Sequence, residues 1–143
     1  MKLRTLLAAL ALTTASAAPA AAHHSFAAMF DAAKPIRLVG KLTRVEWTNP
    51  HSYFHLEVTD SKGRVNTWAC EGAGPGALSR RGFSRSSIKI GDTITVDGYL
   101  AKSGARLIDA RRILLPDGRV VSGGTPGDGG PGSAPAPTAT QPR

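Results

Sequence analysis

The run HSYFHLEVTD, residues 51–60, puts Ser52, Phe54, Leu56 and Val58 on one side of an extended chain and His51, Tyr53, His55 and Glu57 on the other. An apolar residue at every second position is the signature of a strand with one buried face, because successive side chains of an extended backbone point to opposite sides. Similar runs lie on both sides of it. KPIRLVGKLTRVEW (34–47) is a long first strand, with Gly40 expected to mark a bulge or bend. VNTWACEG (65–72), TITVDGYLA (93–101) and LIDARRILL (107–115) are further strands, and RVVS (119–122) is a short last one. In the fourth strand, Ile94, Val96 and Gly98 alternate against Thr93, Thr95 and Asp97.

The breaks between these runs are as informative as the runs. Asn49-Pro50 interrupts the chain after the first strand, Gly63 suits a turn with positive φ, and Gly91-Asp92 marks another tight turn. GPGALSRRG (74–82) is bounded by glycines and long enough for one or two helical turns, and SRSSIKIGD (84–92) for one more. The order is strand, strand, strand, short helix, strand, strand. A long, curved, glycine-punctuated first strand with a helix after the third is the order of a small five-stranded OB-like Greek-key barrel, and a small β-sandwich is the alternative. The fold class expected is therefore mainly β.

What flanks the barrel sets the domain limits. Lys2 and Arg4 precede an apolar run, Thr5 to Leu12, followed by the small-residue stretch TTASAAPAAA. This reads as a secretory signal over 1–22, and the apolar run is far short of the ~20 residues that span a bilayer. Cleavage is expected after Ala22 or after Ala20. The absence of a twin arginine favours the general export route. A periplasmic or secreted location follows, with no transmembrane segment in the mature chain. Residues 23–35 read as a lead-in, 36–121 as the barrel, and 122–143, rich in Gly, Pro, Ala and Thr, as a disordered tail.

Charge and cysteine narrow the function classes. The chain carries a formal net charge of +8, which falls to +6 without Lys2 and Arg4. Such a surface suits acidic partners, but export makes nucleic acid an unlikely one. The lone Cys70 cannot form an internal disulfide, and its strand context predicts a buried, inert thiol.

The segments HHSFAAMFD, KPIRLVGKLTRVEWTNPHSYFHLEVTD, WACEGAGPGALSRRGFSRSSIKIGDTITVDGYLAKSG and LLPDGR together resemble a family of small exported bacterial proteins filed as a domain of unknown function. The resemblance runs from about His23 to Arg119. It implies an exported β-rich domain and no particular activity. Cys70 departs from it, standing where a small apolar residue is commoner.

Two constellations can carry chemistry. His23 and His24 lie at the expected mature N-terminus, where an α-amine and an imidazole, or an amine, two amides and a third-position imidazole, chelate copper(II) in tetragonal geometry. His51, beside Asn49-Pro50, is a candidate third ligand. His51 and His55 cannot share one ion along a regular strand, because four residues of strand span about 13 Å. The second constellation is aromatic and basic. Trp47, Asn49, His51 and Tyr53, with Arg80 and Arg81 near the short helix, form a candidate face for a partner protein or small ligand; Trp68, Phe83, Tyr99 and Arg85 belong to the same aromatic–basic set. Of these, Trp68 is expected in the core.

Enzyme signatures are missing. There is no G-x-S-x-G, no H-E-x-x-H and no phosphate loop, and the ten acidic residues form no evident pair for acid–base work. The sequence therefore predicts a non-enzymatic, exported binding or accessory module, with copper binding through the N-terminal histidines as the alternative.

Overall fold

A computed structural model describes residues 25–132. A single helical turn, α1 (Phe26–Met29), leads into β1 (Phe30–Glu46), followed by β2 (His51–Thr59) and β3 (Val65–Ala73). Then come α2 (Pro75–Arg80), a 3₁₀ turn (Arg85–Ser87), β4 (Thr93–Ala101), β5 (Leu107–Leu114) and β6 (Val120–Ser122). The sheet order is β3-β2-β1-β4-β5-β6, and β3 also pairs with β5. This closes β1 to β5 into a five-stranded ring with β6 added at one edge: the OB-like barrel that the order of elements predicts.

The closing β3–β5 pair is parallel and short, matching Ala69, Cys70 and Glu71 with Leu107, Ile108 and Asp109. Every other ladder is antiparallel. β1 is long enough to serve two neighbours, pairing with β4 through Pro35 to Lys41 and with β2 through Lys41 to Glu46. The bulge expected at Gly40 lies further on, as a register shift between Leu42 and Arg44. What Gly40 provides is a close approach: a Cβ there would stand 2.6 Å from the Glu57 carbonyl oxygen.

The alternation of β2 is realised in full, with Ser52, Phe54, Leu56 and Val58 all completely buried. They join Leu38, Leu42, Cys70, Ile94, Val96, Ile108 and Ile113 inside the ring. Trp68 lies with them in the core, as its strand context predicts. Cys70 is free and buried, and the apolar surroundings push its thiol well above the usual range.

α2 closes one end of the barrel, and its sequence explains how. Pro75 occupies the first turn, where its missing N–H costs nothing. Gly82, with φ of +79°, ends the helix: its N–H donates to the Ser79 carbonyl while the Phe83 N–H donates to the Leu78 carbonyl. This double cap folds Phe83 back beside Leu78, and both are fully buried. Phe83 then stacks on Phe54, with ring centroids 5.3 Å apart.

Both limits of the barrel differ from the sequence reading. On the N-terminal side, the segment read as a lead-in already holds structure. Phe26 and Phe30 are buried with Tyr99 and Ala101 in a second, smaller core. On the C-terminal side, the chain does not leave the barrel at 121. Gly123 accepts a hydrogen bond from the Ala73 N–H and donates one to the Arg111 carbonyl, so it bridges β3 and β5 where their own pairing has ended. A Cβ on Gly123 would stand 2.7 Å from the Ala110 carbonyl oxygen. Residues 123–132 thus form a strap. Its composition carries little apolar surface, but its backbone amides and carbonyls, with one aspartate, hold it in place.

Candidate functional site

The end of the barrel capped by α2 carries an aromatic–basic pocket. Trp47 emerges at the end of β1, half-buried, with its ring edge-on to Phe54 at 5.8 Å and to Phe83 at 5.4 Å. The guanidinium of Arg85 lies over the indole, 5.8 Å from the ring centroid. With Pro75, Ser79, Ser84 and Ser86 these two residues line a pocket of about 410 Å³. The 3₁₀ turn that presents Arg85 is fixed by a capping box, in which Ser84 and Ser87 satisfy each other's backbone N–H. Arg85 has no carboxylate partner among the described residues, so its charge is available at a surface with one aromatic plane and three hydroxyls.

The residues singled out in the sequence separate into open and engaged ones. Trp47 lies in the pocket. Arg80 is exposed on α2, with Nη1 3.6 Å from where a Cβ on Gly76 would stand. Asn49 is exposed and packs beside the start of α2, its Oδ1 2.9 Å from a Cβ built on Gly74. Arg81 is engaged, its Nη1 donating to the carbonyls of Ser122 at 3.0 Å, at the end of β6, and of Gly124 at 2.7 Å, on the strap. Tyr53 is engaged as well: its hydroxyl donates to Glu71 Oε2 at 3.0 Å, and burial followed by that carboxylate raises the phenol to about 12.

The strand period puts His51 on an outward face, yet it is 9% exposed. The strap covers it. His51 Nδ1 lies 3.1 Å from Thr125 Oγ1 and 3.5 Å from Glu71 Oε1, and its Nε2 is buried without a hydrogen-bond partner. His55 lies between Glu46 and Arg44, with Nε2 2.7 Å from Glu46 Oε1 and 3.0 Å from Arg44 Nη2. His23 and His24 lie outside the described residues. Among the described residues no three His, Cys, Asp or Glu side chains come together in a way that would hold a metal ion.

A polar cluster lies beneath the strap. Arg111 is 4% exposed, pairs through Nε with Asp109 and through Nη2 with Asp128 at 2.7 Å, and lies 4.9 Å over the Phe26 ring. Asp128 also accepts the Phe26 N–H through its backbone carbonyl. One guanidinium therefore ties α1, β5 and the strap together. Burial raises the Asp109 carboxyl to about 6; Arg111 opposes this, and Asp128 and Glu71 add to it. The sequence carries a signal for the cluster: Asp109 and Arg111 are opposite charges two apart on the same face of a strand, and Asp128 is the one acid of the glycine-rich tail. Arg85 was visible within the basic set; its position over Trp47 depends on the turn at 84–87.

Residues 11–108 match the profile of a family of unknown function (DUF6152). No curated protein matches the chain.

Proposed function

The chain belongs to this family of unknown function (DUF6152), and we propose for it the role of an exported binding module whose ligand contact is the Trp47–Arg85 pocket. One observation carries the reading: an uncompensated guanidinium held over an indole, in a pocket whose other polar groups are hydroxyls. Such a site suits an anionic group, either a carboxylate of a partner protein or an acidic small ligand. The cation and the Ser79, Ser84 and Ser86 hydroxyls meet the charge, and the Trp47 face packs the apolar part that carries it. Arg80, exposed on α2 next to Ser79, adds to the positive field at this end. Export is supported by Lys2 and Arg4 before the apolar run and by the small-residue stretch up to Ala22.

Two measurements test the two parts. A Trp68→Phe variant leaves Trp47 as the sole indole. Titration with acidic peptides and with uronic-acid oligosaccharides should quench its emission saturably for at least one class, and Arg85→Ala should abolish the effect. Saturable binding of equal strength in Arg85→Ala, or no response to any of these ligands, overturns the pocket reading. For export, fractionation of cells producing the full chain, with the mass of the recovered protein, should find a form lacking residues 1–20 or 1–22 outside the cytoplasm. Intact chain retained inside the cytoplasm overturns that part.

A further inference from the structure

The opposite end of the barrel has a mouth of its own, between the β2–β3 turn and the β4–β5 turn. It is a cleft of about 480 Å³ whose lining includes Trp68, Asn66, Arg64 and Arg106. Trp68 is 6% exposed, and its indole Nε1–H is buried with no hydrogen-bond acceptor. A buried donor left unpaired costs about 1–3 kcal/mol, so such groups usually have a partner.

Asp60 also lines the cleft, and its carboxylate is already saturated. Asp60 Oδ1 accepts the backbone N–H groups of Lys62 and Arg64, both at 2.9 Å, and Oδ2 accepts Arg64 Nε at 2.9 Å and Asn66 Nδ2 at 3.4 Å. The Arg64 backbone N–H is the leading reason that this carboxyl lies well below the usual carboxylate range. It therefore stays charged, and it holds the Arg64 side chain at the rim. Arg106 is exposed and has no carboxylate partner among the described residues. The cleft is lined by one uncompensated cation, a second cation whose terminal nitrogens are not used by Asp60, and a tryptophan whose buried N–H lacks an acceptor.

The geometry points to a second binding site, at this mouth, for a small oxyanion group, phosphate or carboxylate, held by Arg106 and Arg64 at the rim with an oxygen accepting from the Trp68 indole N–H. This goes beyond the Trp47 pocket and does not depend on it, because the two lie at opposite ends of the barrel and each has its own tryptophan.

The two indole N–H resonances separate the two sites in one experiment. The full chain, labelled with ¹⁵N, is titrated with inorganic phosphate and in parallel with acetate, at constant ionic strength set by chloride. The Trp68 signal, identified by its loss in Trp68→Phe, should move downfield and saturate with phosphate, acetate or both, and should stay fixed with chloride alone. Arg106→Ala, at an exposed position, should weaken this binding about tenfold, the loss expected for one charge-assisted hydrogen bond. The arm that saturates names the oxyanion. The inference is overturned if the Trp68 signal stays fixed in both arms, if chloride moves it equally, or if Arg106→Ala binds as tightly as the parent. Movement of the Trp47 signal reports on the other pocket and leaves this result unaffected.

Discussion

Among the described residues, two arginines lie over aromatic rings, and they lead opposite lives. Arg111 lies 4.9 Å over Phe26, is 4% exposed and has a carboxylate on each side. Arg85 lies 5.8 Å over Trp47, is exposed and has no acid partner among the described residues. The first is an internal clamp: removing the guanidinium leaves two buried carboxylates without a counter-charge. The second has spent little of its interaction capacity on the fold, so it is available to something else. The matched family segment ends at residue 108, so the Trp47–Arg85 pocket lies inside it while Asp109, Arg111 and Asp128 lie beyond.

Breaking the clamp should give the largest effect. Arg111→Ala leaves Asp109 and Asp128 facing each other in a buried site, and loss of one member of a buried pair costs about 3–5 kcal/mol. The amides of Phe26 and Gly123, which donate to Asp128 and Arg111 carbonyls, should lose hydrogen-exchange protection together. Retained protection at Phe26 in a folded Arg111→Ala variant would show that α1 and the strap are held by other contacts. Gly130→Ala approaches the same clamp from the strap side, because its Cβ would stand 1.9 Å from Arg111 Nη2.

The clamp also has a pH signature. The Asp109 carboxyl is raised from 3.8 to about 6, so the folded chain holds that proton more tightly than the unfolded one. The contribution of this group to stability is full below about pH 4 and is lost as pH rises through about 6. Relative to Asp109→Asn, the parent should therefore lose stability between pH 4 and pH 7. The loss is a few kcal/mol at most, since a tenfold change in proton affinity is worth about 1.4 kcal/mol. Denaturant midpoints of both proteins at three pH values in that range check it. A constant difference between them would mean that Asp109 titrates as an ordinary carboxyl.

Arg85→Ala should do much less to the fold. An exposed cation–π pair is worth about 0.5–1 kcal/mol, so its unfolding midpoint should lie close to that of the parent even if ligand binding is lost. A destabilisation as large as that of Arg111→Ala would make Arg85 structural and would remove the contrast between the two sites.

How far these features could be read in the sequence follows from how local their causes are. The burial of Ser52, Phe54, Leu56 and Val58 needs only the two-residue period of a strand, and the turns at Gly63 and Gly91 need only positive φ, which both glycines have at +78° and +97°. The barrel order came from such local signals added together. The burial of His51 did not, because its cover is Thr125, 74 residues away, in a segment with little apolar surface to advertise a fold. The same holds for Phe26, whose N–H is capped by Asp128. Composition alone suggested disorder for the strap. The backbone groups of Gly123 and the carbonyls to which Arg81 donates carry no signal in residue type.

The weakest contrast expected is at the histidines. His51 belongs to the closed region, with Nδ1 facing Thr125 and Glu71 and the strap over it. For it to join His23 and His24 on a copper ion, the Thr125 contact would have to open, and Arg81 holds the strap at Ser122 and Gly124 on one side of Thr125 while Arg111 holds it at Asp128 on the other. A chain beginning at His23 should therefore bind copper(II) no more tightly than a free peptide of residues 23–32, and His51→Ala should leave that affinity unchanged. Competition with a chelating dye reads both. Tighter binding by the full chain, lost in His51→Ala, would show that the strap opens to admit the metal and that the closed region is a second working surface.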